Sequence, residues 1–170
     1  TRVFREVSEL GNWLAENPGV ADYPTDRAEV AMVYDYEQFW ALMQANLPTQ
    51  DISYAETVAK IYRSFWENGT RVDFVPGDVD LETLGQYKLV VLPMVHMLSE
   101  QEEQVYHDFV AQGGNILISY FSNIADRTLR VKLGGYGGKL VRDLAGVYVE
   151  EFYPLREGQG KLSNGYEIEL

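Results

Sequence analysis

The chain has 170 residues, enough for one domain of ordinary size, and 46% of them are apolar, enough for a packed core. Lysine and arginine number 14 against 26 acids, and the formal charge of −12 makes nucleic acid and anionic membrane surfaces poor partners. There is no cysteine, which excludes disulfides, thiolate zinc sites and a cysteine nucleophile and suits a reducing cytoplasm.

Val3, Val7, Leu10 and Leu14 recur at helical spacing between Arg5, Glu6, Glu9 and Asn12. They predict an amphipathic helix over Thr1 to Glu16, ended by Asn17-Pro18-Gly19, and the segment lacks the continuous apolar run of a leader. No run elsewhere approaches the ~20 apolar residues of a membrane span. Ala21 to Arg27 reads as a loop around Pro24. Val30 to Tyr34 is a short continuous apolar run, the mark of a strand buried on both faces of a parallel sheet. A short helix with Phe39, Trp40, Leu42 and Met43 follows Asp35-Tyr36.

Ser53 with Glu56 forms a capping-box pattern, and the helix behind it carries Tyr54, Val58, Ile61, Tyr62 and Phe65 to Asn68-Gly69. Arg71 to Val75 is the second strand. After a loop rich in glycine and aspartate, Lys88 to Pro93 is the third. Ser99 with Glu102 starts a second capped helix that runs to Gln112 and stops at Gly113-Gly114. Asn115 to Tyr120 is the fourth strand, Gly134 to Gly138 a loop, Leu140 to Leu144 a short helix, and Val147 to Phe152 a fifth, edge-like strand. Strands alternating with helices predict a three-layer α/β/α sandwich on a mostly parallel sheet of about five strands.

Ligands of such folds sit beyond the carboxyl ends of the strands. The first strand ends in Asp35-Tyr36-Glu37, whose two carboxylates repel a flavin or nucleotide phosphate. The third ends in Pro93-Met94-Val95-His96, where a lone histidine is more often structural than catalytic. Ser122 and Asp126 follow the fourth strand. A triad of Ser122, His96 and Asp126 is the alternative site, for a stand-alone hydrolase or a small-molecule-binding module, although it lacks the glycines of a nucleophile elbow. Residue patterns point to no metal and no cofactor. Twelve tyrosines, seven phenylalanines and three tryptophans leave an aromatic excess. Phe39, Trp40, Tyr120, Phe121 and Tyr136 gather at strand ends and loops, and as a group they suggest a contact surface.

Four stretches in order carry a family likeness. Val30-Ala-Met-Val-Tyr-Asp-Tyr-Glu-Gln-Phe-Trp-Ala-Leu42 resembles a segment of the family 42 glycoside hydrolases, which are β-galactosidases. Tyr87 to Met94, Gly113 to Ser122, and Leu133 to Gly138 with Leu144 to Val147 fit the same family. The resemblance implies the middle domain of such an enzyme, flavodoxin-like and similar to class I glutamine amidotransferases without their cysteine. It implies a role in building a homotrimer, with both catalytic glutamates in a (β/α)8 barrel outside this chain. Residues 1–20 would then lead out of the barrel, 21–155 form the trimerisation domain, and 156–170 lead into a C-terminal β-domain.

Overall fold

A computed structural model describes residues 1–20, 26–44, 47 and 51–152. The expected loop at Ala21 to Arg27 falls largely outside them, as does the tail from 156 onward. Helix α1 (Arg2–Glu16) is followed by a 3-10 turn, Pro18–Val20. The domain then runs β1 (Val30–Val33), α2 (Tyr36–Leu42), α3 (Tyr54–Glu67), β2 (Val72–Val75), α4 (Leu81–Leu84), β3 (Leu89–Leu92), α5 (Glu100–Ala111) and β4 (Asn115–Ile118).

The four strands form one sheet in the order β2-β1-β3-β4, and every pairing is parallel. Val33 lies opposite Val75, Val30 opposite Leu89, and Leu92 opposite Ile118. Period-two alternation splits β1 and β3 between two cores. Ala31, Val33, Val90 and Leu92 pack under Leu84, Tyr106, Phe109 and Leu140. Val30, Met32 and Val91 pack on the other face, under Leu42, Tyr54 and Val58, with Phe121 and Ile124. This is the expected three-layer arrangement. Continuous apolar runs form the central strands because both faces must exclude water.

Caps set the helix starts. Ser53 Oγ accepts from Glu56 N at 3.3 Å. At Ser99 both halves of the capping box are present, with Glu102 Oε2 accepting from Ser99 N at 2.7 Å. Sequence reading missed α4: its Asp80 cap, accepting from Thr83 N at 2.7 Å, sits in a stretch rich in turn residues.

The fifth strand is a correction. Over Val147 to Phe152 the structure shows one isolated antiparallel bridge, Tyr136 to Val149, and the sheet has four strands among the described residues. Phe152 turns inward against Phe121 and Tyr136, with ring centroids at 4.8 and 4.5 Å, while Val147 and Tyr148 stay exposed. Leu140–Leu144 is a turn of π-helix. Among the described residues no helix is long and apolar enough to cross a membrane.

Candidate functional site at the strand ends

The chain passes from β1 to β2 on one side and then to β3 on the other, so the topological switch point lies between β1 and β3. A ligand of this fold would enter the crevice at their carboxyl ends. Here three segments fill it: the start of α2, the run 93–98 after β3, and the run 121–125 after β4. All eleven residues of the two runs are buried.

The two runs are laced by backbone. Asn123 N donates to Val95 O at 2.7 Å, Ile124 N to His96 O at 2.8 Å, and Leu98 N to Ala125 O at 3.1 Å. Ser119 Oγ accepts from Met94 N at 2.7 Å. Gln38, wholly buried on α2, closes the top. Its Nε2 donates to Met97 O and its Oε1 accepts from Met97 N, both at 2.8 Å. Asn123 Nδ2 donates to Gly137 O at 2.9 Å, and Lys132 Nζ reaches Asn123 Oδ1 at 2.6 Å and also Glu103. Met94, Phe121 and Asn123 hold φ of 46°, 63° and 56°, left-handed values uncommon outside glycine. Tertiary hydrogen bonds on both sides hold these strained turns in place.

The alternative site residues are near one another but not joined. Ser122 Oγ donates to Leu92 O at 3.4 Å. Asp126 Oδ1 accepts from Thr128 N at 2.8 Å, Thr128 Oγ1 at 2.7 Å and Arg130 N at 3.1 Å, and these bonds lower its pKa. His96 stacks on Phe121 with centroids 5.4 Å apart, and its Nδ1 has no hydrogen-bond partner. Burial pushes its pKa below the ordinary value, and a bond to the Phe121 backbone only partly offsets this. His96 is therefore a neutral core ring. Serine nucleophilic catalysis needs a serine–histidine hydrogen bond and an exposed Oγ, and Ser122 shows neither among the described residues. An open cleft of about 1030 Å³ lies beside α5. Its lining of mixed charge includes Asp126 but neither His96 nor Ser122. No group of His, Asp or Glu among the described residues could hold a metal ion.

The aromatic group divides by depth. Phe121 belongs to the core, Phe39 and Tyr136 are half-buried, and Trp40 and Tyr120 are 60% and 57% exposed. Sequence reading missed Tyr36, Met43 and Phe74, which are also exposed. Tyr36 packs against Trp40 one turn along α2, at 6.3 Å. Tyr34 links Tyr36 at 5.4 Å to Phe74 at 6.1 Å. One apolar surface thus extends from α2 to the β2 edge; the i, i+4 pair on α2 was its only legible sign.

Arg127 was also missed. From the loop after β4 it binds Asp35 at 3.1 Å, Glu37 at 2.8 Å, and Glu102. Burial alone would raise the Glu102 carboxyl, but hydrogen bonds from Arg127 and Ser99 outweigh it and hold that carboxyl below its usual range. This clasp ties the ends of β1 and β4 to the start of α5.

Fold and site together define a parallel α/β domain whose ligand crevice is occupied by its own buried side chains and backbone. The model of the family described as "Beta-galactosidase trimerisation domain" matches residues 28–168, and the chain belongs to that family. The β-galactosidase BgaB of Geobacillus sp. (strain Y412MC61) is 39% identical over 156 residues, which are 92% of this chain and 22% of the relative. A β-galactosidase of Arthrobacter sp. is 37% identical over 97% of this chain and 23% of its own length. The crystal structure of β-galactosidase from Bacillus circulans sp. alkalophilus superposes with a TM-score of 0.75 at 33% identity, covering 94% of this chain and 23% of that one. The chain therefore spans less than a quarter of the length of each of these three proteins.

Proposed function

We propose that this chain is the assembly module of a longer β-galactosidase, joining its copies into a homotrimer and doing no chemistry itself. The observation that carries this reading is the crevice filled by Gln38 and the buried runs 93–98 and 121–125. Hydrolysis of terminal β-D-galactosides, with retention, belongs to glutamates elsewhere in the longer polypeptide. The acidic, cysteine-free composition suits the cytoplasm.

A closed ring of three requires a heterologous contact, in which two different patches of each copy meet. Trp40 and Tyr120 belong to the contact surface, with Tyr36, Met43 and Phe74 extending it; Phe39, Phe121 and Tyr136 support it from behind. Interface tryptophans are frequent hot spots, where truncation costs about 2 kcal/mol or more, roughly thirtyfold in affinity. Sedimentation of the full-length enzyme carrying Trp40→Ala tests this. The reading expects a dissociating trimer, and a variant that stays fully trimeric at unchanged affinity removes Trp40 from the contact. Galactoside turnover by the 170-residue chain alone would defeat the non-catalytic reading.

A further inference from the structure

A second exposed apolar face lies on the loop after β4. Leu129, Val131, Leu133, Val147 and Tyr148 are 48% to 97% exposed, with Leu133 the most open. Hydrogen bonds hold this loop in shape. Asp126 N donates to Arg130 O, and Lys132 N to Ile124 O, both at 2.9 Å. Lys132 turns inward to Glu103 and Asn123, which leaves its neighbours Val131 and Leu133 facing out. Tyr148 joins the same face: its ring packs on Gly135, where a Cβ would lie 2.6 Å from it, and Tyr136 N donates to Val149 O at 2.9 Å. A lone exposed leucine needs no explanation, but five large apolar side chains on an ordered loop form a patch, and such patches mark contact surfaces.

Charge separates this face from the aromatic one on α2. Residues 127–142 hold five bases and no acid, in a chain of formal charge −12. Arg127 and Lys132 are committed within the chain and Arg142 reaches Asp143, but Arg130 and Lys139 are exposed and make no ion pair among the described residues. Residues 28–59, which contain α2, hold five acids and no base. Three carboxylates there and on α5 share the one guanidinium of Arg127, so the start of α2 stays negative. The two faces are thus both apolar and of opposite sign, as the two halves of one contact would be. Both also lie at the carboxyl end of the sheet, α2 after β1 and the loop after β4, joined by the Arg127 clasp. A ring of three needs its two patches on adjoining sides of each copy, because each copy fills a third of a turn. On the reading that this chain assembles a trimer, we infer that the loop face of one copy is the partner of the α2 face of the next: Leu129, Val131 and Leu133 receive Tyr36, Trp40 and Met43, with Arg130 and Lys139 meeting the acids around α2.

Sedimentation and cross-linking of the full-length enzyme test the pairing. Leu133→Asp places an unpaired carboxylate in the contact and should raise the trimer's dissociation constant by about a hundredfold or more. Met43→Cys and Leu133→Cys in one chain, treated with a short bis-maleimide, should give covalent trimers. Either single variant should give no cross-link beyond the parent's, and the two single variants mixed should stop at covalent dimers, because only one contact of each ring then carries both thiols. A trimer that survives Leu133→Asp at unchanged affinity overturns the inference and leaves the trimer reading standing. Cross-links from either single variant overturn it too, since like patches then meet. Dissociation by Leu133→Asp without cross-links from the double variant also overturns it, because the loop face then meets something other than α2. A parent enzyme that sediments as a monomer defeats the trimer reading itself, and the pairing with it.

Discussion

Removing Gln38 should unlock the strand ends. The side chain is wholly buried, and its amide satisfies both backbone groups of Met97, which have no other hydrogen-bond partner among the described residues. Gln38→Leu keeps roughly the volume and strands both groups. Each unsatisfied buried group costs about 1–3 kcal/mol, so the variant should lose about 2–6 kcal/mol. A domain has only about 5–15 kcal/mol in total. The assay is urea unfolding of the chain. At an m value of about 2 kcal/mol/M the smallest loss moves the midpoint by about 1 M. Gln38→Glu is the informative companion. Ionised, it places an oxygen against Met97 O; protonated, it can donate there as the amide does. Burial raises its folded pKa above the unfolded value, so its stability relative to the parent should improve as pH falls from 7 to 5. A Gln38→Leu midpoint within about 0.2 M of the parent, at unchanged m, would refute the lock.

Three other outcomes follow from the same geometry. Arg127→Met leaves Asp35 and Glu102, whose side chains are 13% and 16% exposed, without their cation. It should cost about 2–3 kcal/mol at pH 7, below the full value for a buried pair because the arginine side chain is a quarter exposed. Glu102 is held below its ordinary value of 4.5, so its contribution is complete above that pH and the gap in urea midpoint should narrow as pH falls below it. Tyr106 is 1% exposed and its hydroxyl has no partner, so Tyr106→Phe should melt within about 0.5 kcal/mol of the parent or above it, by thermal unfolding. His96 contributes fully above its ordinary value of 6.5 and its contribution is lost as pH falls from there toward its lowered folded value. The parent should therefore weaken as pH falls below 6.5 while His96→Asn changes less; parallel profiles would refute this.

The elements legible in the sequence were those whose signals are local. Val30 to Val33 and Leu89 to Leu92 announce doubly covered strands because each carries an apolar side chain toward both layers. Ser99 with Glu102 marks a helix start because both halves of the box lie three residues apart. The false fifth strand shows the limit: the pattern of Val147 to Phe152 cannot say whether a neighbouring strand exists to pair with, and Val147 and Tyr148 are exposed. The sequence pointed to the carboxyl ends of the strands, but not to which strands flank the crevice or what fills it. Gln38 looks like any polar residue on a short helix until Met97, far along the chain, is brought to it. Arg127 was one base among many acids until the fold gathered three of them. His96 and Ser122 were found by adjacency to strand ends, which cannot say where their polar atoms point.

The strand order also constrains how the chain must fold. Pairing β3 with β4 around α5 closes the shortest loop in the sheet, while β1 pairs with two strands that lie much further along the sequence. During synthesis β1 leaves the ribosome first and remains a bare apolar run until both neighbours emerge, the interval in which unpaired hydrophobic strands invite aggregation. Of the four strands β1 thus waits longest for its neighbours, and slowing translation between β1 and β3 should lengthen its exposure.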